Sequence, residues 1–183
     1  NLAKYVPDYK GQGYEIAGFG WHQGWNDRVN ASANRAYESN LKHLIHDVRK
    51  DLGARELPFV IATTGMKGWQ DTDPRALSLM KAQLAIADYP EFKGNVSVVD
   101  TRDFWRGIEE SPSGQVYHWC RNAESYFLIG QSLAEATIKI IAENKNNHTP
   151  PQIRVARRLD DQVLTPTPPM GWNSWNAFEK DID

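Results

Sequence analysis

The chain has 183 residues, 40% of them hydrophobic, enough for one domain with a real core and an appendage and too many for general disorder. Its net charge of -2 and pI near 6.2, with acidic and basic residues interspersed, leave no basic stripe to track phosphates, so nucleic acid is not an expected partner. No apolar run approaches the ~20 residues of a membrane span, and the single cysteine, Cys120, excludes both an intrachain disulfide and a Cys-rich zinc site.

In chain order, Tyr14 to Gly20 reads as a short buried strand. Asn34 to Leu52 reads as a helix with Tyr37, Leu41, Leu44, Ile45, Val48 and Leu52 on one stripe, stopped by Gly53. The apolar, β-branched run from Pro58 to Thr63 predicts an interior strand. Asp73 then suits an N-cap and Pro74 a first helical position, with Leu77, Met80, Leu84 and Ala87 as the apolar stripe up to Pro90. Asn95 to Asp100 is a third strand, and a last helix starts near Asn122 with Tyr126, Ile129, Leu133, Ala136 and Ile140 facing inward. Strands alternating with helices of this length argue for a parallel sheet covered on both faces. Ligands of such sheets bind beyond the carboxyl ends of the strands.

Three candidate site segments fall at those ends: Gly18 to Asp27, Asp100, and the loop carrying His118. Gly18 to Asp27 crowds glycines, Gln23, Trp21, Trp25 and Asp27 where the first strand stops. Gln23 suits an oxyanion donor, because a fixed side-chain amide presents N–H groups, or it braces the turn at Gly24. Asp27 suits an orienter of an imidazole, or it caps the turn. His118, on a loop just before the last helix, suits a general base, although a lone loop histidine is more often structural. The seven tryptophans favour a carbohydrate partner, since indole faces stack on sugar rings, but any one of them is as readily a packing residue. His22, Asp27 and His118, or His43 and His46 on one helix, lack a metal-ligand spacing motif, and no metal is expected. Gly130-Gln131-Ser132 imitates a nucleophile elbow, but the helical stripe runs through it, so Ser132 is expected to be helical and remote from His118.

The block Gly18-Phe19-Gly20-Trp21-His22-Gln23-Gly24-Trp25-Asn26-Asp27 resembles the Trp-x-Gln-Gly block of the sialate O-acetylesterase-like esterases, in the SGNH hydrolase superfamily. Tyr89 to Val96, Tyr117-His118-Trp119, Asn122-Ala123-Glu124 and Ile129-Gly130 follow in the order such domains show, so the resemblance covers about Tyr14 to Ala142. It implies an SGNH, flavodoxin-like three-layer parallel sheet whose N-terminal part precedes this chain. It also implies serine-esterase removal of O-acetyl groups from oligo- or polysaccharides, without a cofactor. Residue by residue it implies His118 as base and Gln23 as oxyanion donor; Trp25, an indole at the same strand end, is expected in contact with substrate on its residue type. Two departures stand out: Trp25 replaces the Glu of many relatives, and Gln115 replaces their Asp three residues before the histidine. The acid behind His118 is therefore Asp27 in the first instance and Asp100 in the second. The nucleophilic serine of the family lies upstream of the Trp-x-Gln-Gly block, where this chain has none.

The tail from Leu164 to Asn176 resembles the opening strand of family twenty-seven glycoside hydrolases, the α-galactosidase group, with Trp175 in the sugar-binding wall. The expected organisation is a partial esterase domain over residues 1–143, a Pro- and Asn-rich linker over 144–163, and the start of a β/α barrel over 164–183. The expectation is a fragment of a bimodular, secreted or periplasmic carbohydrate-active hydrolase, itself inactive for want of the serine. The alternative is a non-catalytic carbohydrate-binding module with an SGNH fold, for which Trp25 and Gln115 mark a lost triad.

Overall fold

In the computed structural model, which describes residues 5–147, the run after Pro58 forms the middle strand of a parallel sheet. Strands β1 (Phe19–Trp21), β2 (Phe59–Ala62) and β3 (Val96–Val99) stand in the order 1-2-3, with Phe59 opposite both Phe19 and Val96. All four residues of β2 are fully buried. A parallel strand covered on both faces has no solvent side, so it reads as an unbroken apolar run rather than an alternation.

Two helical layers do the covering. Helices α1 (Trp25–Val29), α2 (Ala31–Asp51) and α3 (Pro74–Ala85) follow β1 and β2, and α4 (Ala123–Asn147) closes the described chain. Tyr37, Leu41 and Ile45 of α2 and Leu79 of α3 form one core cluster with Phe59, Ile61 and Val96. Ile129 of α4, with Leu133 packed against it, forms another with Ala62, Met66 and Trp119. Alternate residues of β2 thus feed opposite layers, as the pleat requires. The result is the α/β three-layer arrangement expected from the sequence, compatible with an SGNH-like fold.

The same alternation explains the glycines of β1. Phe19 stacks on Phe59 with ring centroids 5.0 Å apart, on the α2–α3 side. Gly18 and Gly20 face α4: a Cβ on Gly18 would stand 2.7 Å from Thr137 Cγ2, and one on Gly20 3.7 Å from Leu133 Cδ1. The missing side chains let α4 lie close against the sheet. At the other ends, local chemistry sets the helix starts. Asn30 Oδ1 accepts from the backbone N–H groups of Ser32 and Ala33, each at 3.0 Å, and starts α2. Asp73 Oδ1 accepts from Arg75 N at 2.9 Å before Pro74 starts α3, and Asn122 Oδ1 accepts from Ser125 N at 3.1 Å ahead of α4.

Four elements differ from their sequence-based expectation; one is α2, read from Asn34, which begins at Ala31. The strand read over Tyr14 to Gly20 begins only at Phe19, and Tyr14 is exposed. Within the described sheet β1 pairs with β2 alone, and its glycines offer little side-chain packing to extend it. In α3 the buried residues are Ala76, Leu79, Met80 and Gln83, while Leu77 and Leu84 are 43% and 38% exposed. The helix carries apolar residues on more than one side, so periodicity admitted two rotations, and the one that buries Gln83 is adopted. Tyr126 of α4 likewise lies outward. Ser132 is helical, as expected, inside α4. The linker beyond Asn147 and the barrel start, Trp175 included, lie outside the described residues.

If Gly18 sets the approach of α4, Gly18→Ala will destabilise the chain by about 1–3 kcal/mol through overpacking against Thr137. Adding Thr137→Ala, which removes the opposing methyl, will restore part of that loss. Urea unfolding of the four proteins of this cycle checks the coupling; additive losses would contradict it.

Candidate active site

The carboxyl ends of the strands are tied together from beneath by one buried side chain. Gln83 of α3 accepts from Thr64 N at 2.9 Å through Oε1, and donates from Nε2 to Gln23 O at 3.0 Å and to Tyr37 Oη at 3.1 Å. Tyr37 Oη in turn donates to Gln23 O at 2.8 Å. Burial pushes the Tyr37 hydroxyl up to about 12, so it keeps its proton and stays a donor throughout the physiological range. Two donors on one carbonyl fix the backbone of Gln23. Gly24 follows at φ 155, where a Cβ would stand 2.7 Å from Thr64 Cγ2 and 2.8 Å from Leu79 Cδ2, so no other residue fits there unstrained.

The Gln23 side chain is held as well, by the helix that follows. Its Nε2 donates to Asp27 Oδ2 at 2.6 Å, a short, charge-assisted bond across the first turn of α1. One N–H of the amide remains. Trp25 beside it is backed by the Arg28 guanidinium 5.0 Å from its ring, and Arg28 is itself buried between Asp71, at 3.1 Å, and Asp73, at 3.2 Å. The ion pairs join α1 to the start of α3 and hold the indole in place.

His22 performs a structural task. Its Nδ1 lies 3.2 Å from Ala62 O, and its Nε2 lies 3.1 Å from Trp119 Nε1. A carbonyl only accepts and an indole N–H only donates, so Nδ1 carries the proton and the ring is neutral. Burial lowers its pKa, outweighing the hydrogen bond to Ala62, which raises it. Through His22 the ends of β1 and β2 grip the segment that carries His118.

That segment is bent sharply. Trp119, Cys120 and Arg121 have φ of 52, 51 and 56, three consecutive non-glycine residues in the left-handed region, at a cost of about 1–2 kcal/mol each. Buried contacts hold the turn. Trp119 and Cys120 are buried, the backbone N–H groups of His118 and Cys120 both donate to Gln115 O, and Asn122 Nδ2 donates to Glu110 O at 2.9 Å. Strain supported in this way is a mark of functional segments. His118 sits at its start, half-buried, its ring 4.5 Å from that of Tyr117 and its carbonyl accepting from Tyr126 Oη at 3.1 Å. Among the described residues no hydrogen bond is made to its ring nitrogens.

His22, Gln23, Trp25, Met66, Tyr117, His118, Trp119 and Tyr126 border one cavity of about 490 Å³. Of the residues singled out from the sequence, it brings together Gln23, Trp25 and His118. Asp27 stands one hydrogen bond behind Gln23. Asp100 is engaged by Arg102, whose Nε lies 3.0 and 3.1 Å from its two carboxylate oxygens; burial raises the Asp100 pKa, but these bonds outweigh it and hold the carboxyl below its usual value. Ser132 does not border the cavity. Sequence reasoning missed Gln83 and the structural use of His22. A glutamine set between Ala82 and Leu84, one turn after Leu79 and Met80, was the available signal for the first, and nothing local signals the second. Among the described residues no group of three or more His, Cys, Asp or Glu side chains is placed to hold a metal ion. The arrangement offers an amide donor, a free imidazole and aromatic walls, the equipment for polarising a carbonyl and moving a proton beside an uncharged ligand.

A family model described as carbohydrate esterase, sialic acid-specific acetylesterase, matches residues 4–139. The chain belongs to this family. The match takes in all three strands and every residue bordering the cavity, so this carbohydrate esterase domain and its candidate site coincide. Comparison with curated proteins and with solved structures found no match.

The neutral burial of His22 has a consequence for acid stability. Its folded pKa lies below the ordinary ~6.5, so between those values the unfolded chain binds the extra proton and stability falls as pH drops below about 6.5. Carboxylates with lowered pKa, such as Asp73 and Asp100, act only further down, below about pH 5. Urea-unfolding free energies between pH 7 and 5 will therefore decline in the native chain and decline less steeply in His22→Asn. An equal slope in both would contradict the assignment.

Proposed function

We propose that the cavity receives an O-acetyl group of a glycan and forms the base and oxyanion side of a serine-esterase site. The observation that carries this reading is the pairing of the Gln23 amide and the His118 imidazole on the walls of one aromatic cavity within a carbohydrate esterase domain. A serine Oγ attacks the acetyl carbonyl carbon while His118 takes the hydroxyl proton, and the remaining N–H of Gln23 donates to the oxygen on which negative charge develops. The C–O bond to the sugar breaks, and the departing hydroxyl takes its proton from the His118 imidazolium. Water, deprotonated by the same imidazole, then releases acetate and restores the serine. Asp27 acts through Gln23 as a positioning residue, on the oxyanion side of the reaction rather than behind the imidazole. Trp25 supplies an apolar wall for the sugar ring.

The nucleophile belongs to this proposal too. Among the described residues no serine or cysteine borders the cavity, and the one hydroxyl amino acid that does so besides tyrosine, Thr64, is buried with its Oγ1 donating to Gln83. In this reading the serine is carried by sequence preceding Asn1, on a strand added to the edge of β1 that is unpaired among the described residues. Residues 164–183 open an α-galactosidase-like module. Removing acetyl groups beside a tethered glycosidase exposes the hydroxyls its pocket must contact, at a high effective concentration.

A second reading has one specific observation in its favour. Among the described residues no acid is hydrogen-bonded to His118, as expected of a binding module that has kept the fold and lost the triad. Acetate release from O-acetylated glycans by the protein including its upstream sequence separates the two. Under the esterase reading His118→Ala lowers kcat about 10²–10⁴-fold, and Gln23→Leu lowers it about 10²–10³-fold with little change in KM. Acetate release unaffected by His118→Ala would overturn the assigned base, and glycan binding with no acetate release would favour the module.

A further inference from the structure

Beyond the cavity, the loop after β2 presents an indole to solvent and holds it still. Trp69 is 63% exposed, although tryptophan is among the largest apolar side chains and is usually well buried. Its Nε1 donates to Asp103 Oδ1 at 2.6 Å, which fixes the rotation of the ring. The guanidinium of Arg102 lies over the ring at 3.5 Å from its centroid, and Arg102 is held in turn by Asp100. The backbone beneath is equally constrained. Lys67 and Gly68 adopt φ of 70 and 60, and a Cβ on Gly68 would come within 3.1 Å of Arg102 O. One ring face is therefore occupied by a cation, while exposure is left to the other face and the rim.

We propose that Trp69 is a second carbohydrate contact, a stacking platform for a pyranose ring of the glycan chain that extends outward from the acetylated sugar in the cavity. The inference rests on the carbohydrate reading of the cavity but not on its catalytic steps. Position supports it: Met66 borders the cavity, and three residues of chain reach at most ~10 Å, so the platform stands roughly one or two sugar units from the pocket. The chemistry supports it as well. The apolar C–H face of a pyranose fits an indole, and Asp103 at the N–H edge offers an acceptor to its hydroxyls. A ring already immobilised by two partners loses little conformational freedom when the sugar docks, so more of the stacking contact appears as affinity.

Titration calorimetry on the 183-residue chain provides the test, with partially O-acetylated sialyllactose, xylotetraose and mannotetraose as probes, each set beside its acetylated monosaccharide. At least one oligosaccharide is expected to bind more tightly than its monosaccharide. Trp69→Ala should weaken that oligosaccharide about three- to tenfold and leave the monosaccharide unchanged, while Trp69→Phe should retain part of the gain. No gain from chain length with any of the three pairs would overturn the platform. So would an unchanged oligosaccharide affinity in Trp69→Ala, the result expected if the indole serves a protein partner, or an equal loss for both sugars, which would mean that Trp69 acts through the fold. Failure of the esterase reading registers separately, as acetate release that is absent or indifferent to His118, and leaves these titrations valid.

Discussion

The buried carboxamide of Gln83 joins the two strand ends on which the site is built. One group satisfies Thr64 N–H after β2, the Gln23 carbonyl after β1 and the Tyr37 hydroxyl from α2. Each of those polar groups is covered by the fold and would cost about 1–3 kcal/mol if left unpaired. The interaction therefore fixes more than stability. It determines which way α3 turns, bringing Gln83 inward and leaving Leu77 and Leu84 in contact with solvent, and it sets the backbone from which the Gln23 amide projects. Gly24 belongs to the same constraint, since the chain passes so close to Thr64 and Leu79 that no Cβ fits.

From that fixed point the site is assembled by side chains that act in series. Asp27 holds Gln23, Arg28 backs Trp25, and His22 receives Trp119 while donating to Ala62. The left-handed turn from Trp119 to Arg121 is the costly part, and it is retained because the Trp119 indole, the buried Cys120 and the Asn122 cap leave the chain no relaxed alternative. His118 immediately precedes it and borders the cavity, its imidazole free of hydrogen bonds among the described residues. The base role proposed for His118 requires a ring that is held yet unengaged, and its neighbours do the holding.

Much of the fold could be read locally. The run through β2, the Asp73 cap and the start of α4 at Asn122 are all set by short-range chemistry, and the structure shows each, whereas the Asn30 cap starts α2 three residues before the Asn34 read from the sequence. The extent of β1 and the rotation of α3 could not, because each is decided by what packs on it. The site divides in the same way. Gln23, Trp25 and His118 stood out by residue type at strand ends, and they do border one cavity. The Gln23–Asp27 bond is implicit in a four-residue spacing, but residue type alone offers Asp27 equally to an imidazole or to the turn, and only the geometry shows its carboxylate paired with an amide. Gln83 and His22 act between residues dozens of positions apart, and no local pattern encodes that.

The central claim is that Gln23 and His118 face one reacting acetyl group from two sides. A crystal structure of the protein with its upstream sequence, trapped by a phosphonate that mimics the tetrahedral intermediate, tests it most directly. The account predicts a phosphonyl oxygen within about 2.7–3.1 Å of Gln23 Nε2 and the modified serine oxygen beside the His118 imidazole. An adduct whose oxygen is bound elsewhere, with Gln23 still paired to Asp27 but distant from the phosphorus, would contradict it.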